Sequence, residues 1–354
     1  MVRLTSLFSL ILSVFCLSLF LVPTQSYAEQ KNLTIFIWSE YIDLDIIAEF
    51  EKLYDVKVKL DFFESNEEMI GKLQTVRQGI YDIIVPSTYF IPTLTNLDLI
   101  QPLNHALLPN LKNLFPAFRE VDVDPGNVYT VPYQWGTSGL AVKAEDPATI
   151  KPTWSLLFDE TQSLGSFYLF DTARDALGSA LKFLGYSLNS EDAKAIEEAG
   201  NLLIKTKQRP DFRGFDSGVG GLSKVMGGVA TVAQVYSGEA LKAKVDLPDV
   251  HYIIPQEGCE IWLDLLAIPK NSPNVETAHL FINYILDPKV SARVTSFNNY
   301  ATPNQAAMEF IPDSEKNNPQ MYPDLTTMNN LEFMRDLGEN NRIYEDTWTL
   351  VKTR

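Results

Sequence analysis

The sequence predicts an α/β protein, and three observations carry that prediction. Strand-like and helix-like segments alternate from residue 33 onward. The chain, at 354 residues, has room for two ordinary domains or one large one. No proline- or glycine-rich linker divides it, as expected of two domains that share several backbone crossings.

Leu33 to Trp38 reads as a strand, and Asp45 to Tyr54 as a helix with Ile46, Ile47, Phe50 and Leu53 on its apolar face. Val56 to Phe63 is strand-like again. Asn66 begins a helix whose Glu67 and Glu68 suit the positive end of the helix dipole. Tyr81 to Val85 is a third strand, stopped by Pro86. This β-α-β-α-β order implies a largely parallel sheet covered by helices, with ligands received at the carboxyl ends of its strands. Tyr129 to Val142 reads as extended chain, Leu156 to Leu164 as helix, and Ser166 to Asp171 as strand. A helix from about Ala173 to Gly185 follows, then an amphipathic one over Glu191 to Lys205 with Ser190 as its cap. Gly218 to Gly221 lacks the dinucleotide-binding context and reads as a flexible loop. His251 to Pro255 and Ile261 to Ile268 are strands, and Val275 to Leu286 is a helix.

The first 28 residues have the pattern of an export signal: Arg3, an apolar run from Leu7 to Val22, and small residues at Ser26 and Ala28. Phe15 stands before Cys16 where a lipoprotein signal wants a small residue. Cleavage after Ala28 would leave Cys259 as the only cysteine, so packing alone must hold the mature chain, as suits a large periplasmic protein. The net charge of −16 argues against nucleic-acid partners and is compatible with cationic ligands.

Enzyme motifs are missing. His105, His251 and His279 lack metal-ligand spacing, and no GxSxG, HExxH or P-loop pattern occurs. Aromatics with two acids also describe a sugar-cleaving cleft, but nothing fixes a general acid and a nucleophile. The reading is a non-enzyme without cofactor or metal.

The chemistry lies in IWLDLLAIP (261–269), an apolar run ended by proline. On a strand, Trp262 and Asp264 face the same side, so an indole and a carboxylate meet in one space. That pair suits an ammonium group: the ring attracts it and the carboxylate supplies charge and acceptors. Trp38, Glu40 and Tyr41 in IWSEY (37–41) form a second such cluster, at the end of another strand.

These clusters resemble the spermidine/putrescine-binding periplasmic proteins of polyamine ABC importers. The likeness runs through IWSEY, YDIIVPSTYF (81–90), VPYQWG (131–136), YSGEA (236–240), IWLDLLAIP, NYATPN (299–304), YPD (322–324) and IYED (343–346). It implies a bilobal periplasmic-binding-protein fold of type II-like form, with two α/β lobes joined by crossing hinge strands. Residues 29–139 with 264–307 would form one lobe, and 140–263 with 308–354 the other. It implies a ligand-binding set of Trp38, Ser39, Glu40, Tyr41, Ser87, Tyr89, Asp175, Ser217, Tyr236, Trp262, Asp264 and Tyr300, with Asp171, Thr172 and Met334 at adjoining positions. The sequence departs from the family at Tyr236, where tryptophan is usual, at Thr172, where an acid is common, at Asp175, where glutamate is common, and at Met334, where a glutamine often reaches the ligand. A triamine would then lose one anionic partner, while a diamine would still find Asp264 and Asp175. The implied partners are a polyamine and a membrane permease, for a periplasmic monomer. A sensor docking on a membrane receptor, or a binder of another small organic cation, would use the same cleft.

Overall fold

The computed structural model describes residues 31–75 and 79–354; the export signal read in residues 1–28 lies outside them. Strand β1 (Lys31–Trp38) buries Leu33, Ile35, Phe36 and Ile37, so both of its faces are covered. The helix Leu44–Tyr54 starts where the Asp43 side chain accepts from Asp45 N, and ends at Asp55 in the left-handed conformation. Ile46, Ile47 and Phe50 face the core as expected, but Leu53 is 65 % exposed. The inward stripe continues through Tyr54, one turn beyond Phe50, which packs on Phe50 and Tyr284.

β2 (Val56–Phe63) and the helix Asn66–Thr75 follow. β3 is only Ile83–Ile84, parallel to β1 with Ile35 opposite Ile83. Tyr81 and Val85 are buried beside this short ladder without joining it. A small ribbon of β4 (Glu120–Val121) and β5 (Asp124–Pro125) comes next. The buried Asp124 carboxylate accepts from the backbone N–H groups of Val128, Tyr129 and Thr130, which sets the entry into β6 (Thr130–Lys143).

β6 changes partner midway. Thr130 to Thr137 pairs antiparallel with β11 (Glu260–Ala267), and Ser138 to Val142 pairs antiparallel with β9 (Val232–Tyr236). Its far end also pairs with β10 (Val250–Ile253). β7 (Phe167–Phe170) lies parallel to both β8 (Phe212–Asp216) and β9, and β12 (Glu332–Phe333) lies parallel to the start of β11. The sheet order is β2-β1-β3-β11-β6-β9-β7-β8. The sheet is therefore mixed rather than largely parallel: β1 with β3, and β7 with β8 and β9, pair parallel, but β6 and β11 run antiparallel to each other, β11 to β3 and β6 to β9. One core cluster draws on both sides, joining Phe36 and Ile84 with Val235 and Tyr252, and two others are separate. Leu33, Phe50, Phe281 and Tyr284 pack on one, and Trp154, Phe167, Leu177, Ile196 and Tyr344 on the other. This is a two-lobed α/β fold joined by antiparallel crossing strands.

Several local expectations need correction. The segment expected as one helix over Leu156 to Leu164 is helical only from Ser155 to Phe158. Asp159 turns extended and its side chain accepts from Thr161 N, which starts a separate 3₁₀ turn. The amphipathic helix is Ala193–Lys207, and its cap is Asp192, accepting from Lys194 N, not Ser190; the Ser190 hydroxyl accepts from the N–H of Asp192 itself, just ahead of the helix. Gly218 to Gly221 is not a loop but the opening of a helix, Gly218–Met226, capped by Ser217. Its glycines serve close packing: a Cβ on Gly220 would lie 2.0 Å from an Asp216 carboxylate oxygen. No helix among the described residues is long and apolar enough to cross a membrane.

Candidate functional site

β11 carries Glu260, Trp262 and Asp264 on one face. Asp264 is 6 % exposed and accepts hydrogen bonds from the Ser87 hydroxyl at 2.7 Å and the Tyr41 hydroxyl at 2.9 Å. Both donors are held in place. Asn66 accepts from Ser87 N at 3.1 Å, and the Tyr41 carbonyl accepts from Tyr133 Oη and Asn298 Nδ2, each at 2.8 Å. Glu40, with φ of 54°, makes the left-handed turn after which Tyr41 enters the core. Among the described residues no ion pair involves Asp264. Burial lifts its pKa to about 6, and the hydrogen bonds from Ser87 and Tyr41 act in the opposite direction. The Tyr41 hydroxyl is in turn pushed up, by its own burial and then by the Asp264 charge.

Aromatic rings wall this carboxylate. Trp262 meets Tyr300 edge-to-face at 4.7 Å and Tyr236 at 6.2 Å, and Tyr300 meets Tyr41 at 5.8 Å. Phe170 stacks on Tyr236 at 4.7 Å. Trp38 donates from its indole to the Val85 carbonyl at 2.9 Å and packs on Phe63, and Tyr89 packs on Phe90. The indole of Trp262 lies over Gly136, where a Cβ would come within 2.5 Å of the ring. Gly136→Ala is therefore expected to displace the indole and cost about 1–3 kcal/mol of stability; urea unfolding beside wild type checks this, and an unchanged midpoint would show that the ring has room to yield.

A second group lies further along the same face. Glu260 accepts from the Ser138 hydroxyl at 2.7 Å and lines a small cavity together with Asp175, which comes from the first turn of the helix Ala173–Phe183. The Thr172 hydroxyl donates to Asp175, and Met334, 4 % exposed, lines the same small cavity as Asp175, Glu260 and Gln234. Other expected residues sit apart from these groups. Ser39 is exposed and donates to Glu64, Glu40 is exposed near Lys242, and the Ser217 hydroxyl caps its helix by accepting from Gly220 N. Asp171 pairs with Lys352 on the outer face.

Two acids were not among the candidates. Glu260 stands two positions before Trp262, so strand alternation alone could have pointed to it. Glu239 sits in the first turn of the helix Ser237–Asp246, and its Oε2 is buried without a hydrogen-bond partner. Burial, followed by the charges of Glu40 and Glu64, pushes Glu239 up to about 8.

Two α/β lobes sharing antiparallel crossing strands define the class of periplasmic-binding-protein-type solute receptors. A solved structure of a spermidine/putrescine ABC transporter protein from Listeria monocytogenes aligns with a TM-score of 0.84 at 35 % identity, covering 91 % of this chain and 99 % of that one. The chain belongs to the bacterial extracellular solute-binding protein family, whose model matches residues 45–327. It is 34 % identical over 330 residues to the spermidine/putrescine-binding periplasmic protein of Escherichia coli (strain K12), covering 92 % of this chain and 93 % of that one. It is 32 % identical over 347 residues to the putrescine-binding periplasmic protein SpuD of Pseudomonas aeruginosa, covering 92 % and 93 %. These relatives are solute-binding and transport proteins rather than enzymes.

Proposed function

We propose that this chain is a polyamine receptor outside the cytoplasmic membrane, taking putrescine or spermidine and handing it to the permease of an ABC importer. The observation that carries this reading is Asp264: a buried carboxylate with two hydroxyl donors, no cationic partner among the described residues, and a wall of aromatic rings. A buried negative charge left in this state is costly, and an ammonium is the group that neutralises it. The aromatic rings attract the same cation and cover the methylene chain of a polyamine. The names of the relatives support the same ligand class.

The action is closure rather than chemistry. Residues 29–139 with 264–307 form one lobe in this proposal, and 140–263 with 308–354 the other. Ser87 and Tyr41 then belong to the first lobe, and Asp175 and Tyr236 to the second. A ligand touching both sets stabilises the closed state over the open one and so presents a joined surface to a permease. Titration calorimetry of ligand-stripped protein with putrescine and spermidine tests the reading. One-to-one binding of either with Kd of roughly 10 µM or tighter is expected; no binding of both would send the protein to another solute.

A further inference from the structure

Gln134 and Asn298 are two carboxamides buried behind Asp264, 1 % and 5 % exposed. Gln134 is paired with Asp264 across β6 and β11, so the two side chains share one face of the sheet. Asn298 ends the helix Pro288–Asn298 and uses both hydrogens of Nδ2, one on the Tyr41 carbonyl at 2.8 Å and one on Gln134 Oε1 at 2.5 Å. Those two bonds fix both amide orientations, because only an N–H can serve the carbonyl and only an oxygen can receive the second hydrogen. The other ends of the amides gain nothing. Gln134 Nε2 and Asn298 Oδ1 are sealed from solvent with no hydrogen-bond partner among the described residues, and so is Thr295 Oγ1, one turn earlier on the same helix. Two apolar side chains of the same shape would strand no polar atom here, so the amides are a cost to folding. The one side-chain bond they make outside the pair goes to Tyr41.

We propose that Asn298, braced by Gln134, is a positioning residue for ligand binding: it fixes Tyr41 so that the Tyr41 hydroxyl is aimed at Asp264 before the ligand arrives. Glu40 takes the chain through a left-handed turn immediately before Tyr41, a conformation that a non-glycine residue keeps only when its surroundings hold it. Asn298 and the Tyr133 hydroxyl do the holding, and together they fill both lone pairs of the Tyr41 carbonyl. The Tyr41 ring is then confined between those of Tyr133 and Tyr300, at 5.4 Å and 5.8 Å, and its hydroxyl meets Asp264 Oδ2 at 2.9 Å. Ser87 takes Oδ1, so the carboxylate keeps one orientation and its remaining lone pairs stay ready for a cation. Both amides act through Tyr41 and not on the ligand. What the fold loses at Gln134 and Asn298 reappears as an acceptor that needs no reordering on binding. The role deepens the polyamine reading and rests on it.

The test compares wild type, the apolar pair Gln134→Met with Asn298→Leu, Tyr41→Phe, and all three changes together. Each is measured by urea unfolding and by calorimetry with putrescine. The apolar pair keeps the shape of the amides and removes the polar atoms they leave unpaired. It is expected to unfold at the same urea concentration as wild type or higher, yet to bind putrescine about tenfold more weakly. In the Tyr41→Phe background, which has no hydroxyl to aim, the same pair should change affinity by less than about twofold. A loss of about tenfold that persists in that background would overturn the proposal, and so would an apolar pair that binds as wild type does. A lower urea midpoint for the apolar pair would overturn it too, by showing that the amides serve the fold. Tyr41→Phe alone decides the matter if the apolar pair does not fold: affinity equal to wild type would leave Asn298 no hydroxyl contribution to control. Wild type that binds neither putrescine nor spermidine would remove the polyamine reading and this role together, whereas the other outcomes strike the role alone.

Discussion

Asp264→Asn is expected to raise the Kd for putrescine and spermidine by about a hundred- to several-thousand-fold, the equivalent of roughly 3–5 kcal/mol. The substitution keeps the size of the side chain that Ser87 and Tyr41 hold, removes the charge an ammonium needs and turns one of the two accepting oxygens into a donor, to which one hydroxyl must reorient. Calorimetry reads the change, and an affinity within threefold of wild type would refute the role assigned to Asp264. The same variant has a second expected result of opposite sign. Burial raises the Asp264 pKa from 3.8 to about 6, so across that window the folded chain holds a proton that the unfolded chain has given up. The stability of the ligand-free protein due to this group therefore falls as pH rises from about 4 to about 6 and stays low above it. Asparagine avoids that loss. Ligand-free Asp264→Asn should melt above wild type at pH 8 and level with it near pH 4; a lower melting point at pH 8 would show that the buried charge is better solvated than its surroundings imply.

Trp262→Ala is expected to do damage on both counts. The indole is 8 % exposed, packed against Tyr300 and Tyr236 and pressed over Gly136. Its removal should lower stability by about 3–5 kcal/mol, as for other large aromatic truncations. Loss of the ring as a cation surface should cost about a further 0.5–2 kcal/mol of binding. Denaturant unfolding and calorimetry measure the two separately. Trp262→Phe should restore most of the stability and part of the affinity; a phenylalanine variant as defective as the alanine one would mean that shape, not the presence of a ring, governs this position.

The parts of the fold legible in the sequence were those set by neighbours in the chain. Alternation put Trp262 and Asp264 on one face without any knowledge of the partner strands, and β1, β2 and the helix between them fell where periodicity placed them. The failures have a common physical form. Leu53 was misread because helical spacing gives a stripe but not its centre, which Tyr54 and the distant Tyr284 decide. Gly218 to Gly221 looked mobile by composition, but its small size is what lets the helix lie close to Tyr236 and Asp216. The antiparallel course of β6 and β11 depends on pairings between residues more than a hundred positions apart, which no local window contains. Glu260 was one residue outside the apolar run that drew attention, and the cavity it shares with Asp175 likewise joins distant parts of the chain. The contacts of Ser39 with Glu64 and of Ser217 with Gly220 N could not be read from the family resemblance that singled these residues out.

The place of β11 in the sheet also dictates an order of assembly. It lies between β3 and β6, so the strands that precede it by more than a hundred residues have no neighbour on that side until residues 260–267 arrive. A nascent chain that stops short of them carries an open sheet edge, ready to pair with any other extended strand. The loop closed when Ile84 finally meets Ala267 is long, and such contacts form late and slowly. Cutting the chain between β6 and β11 would therefore leave fragments with unpaired sheet edges.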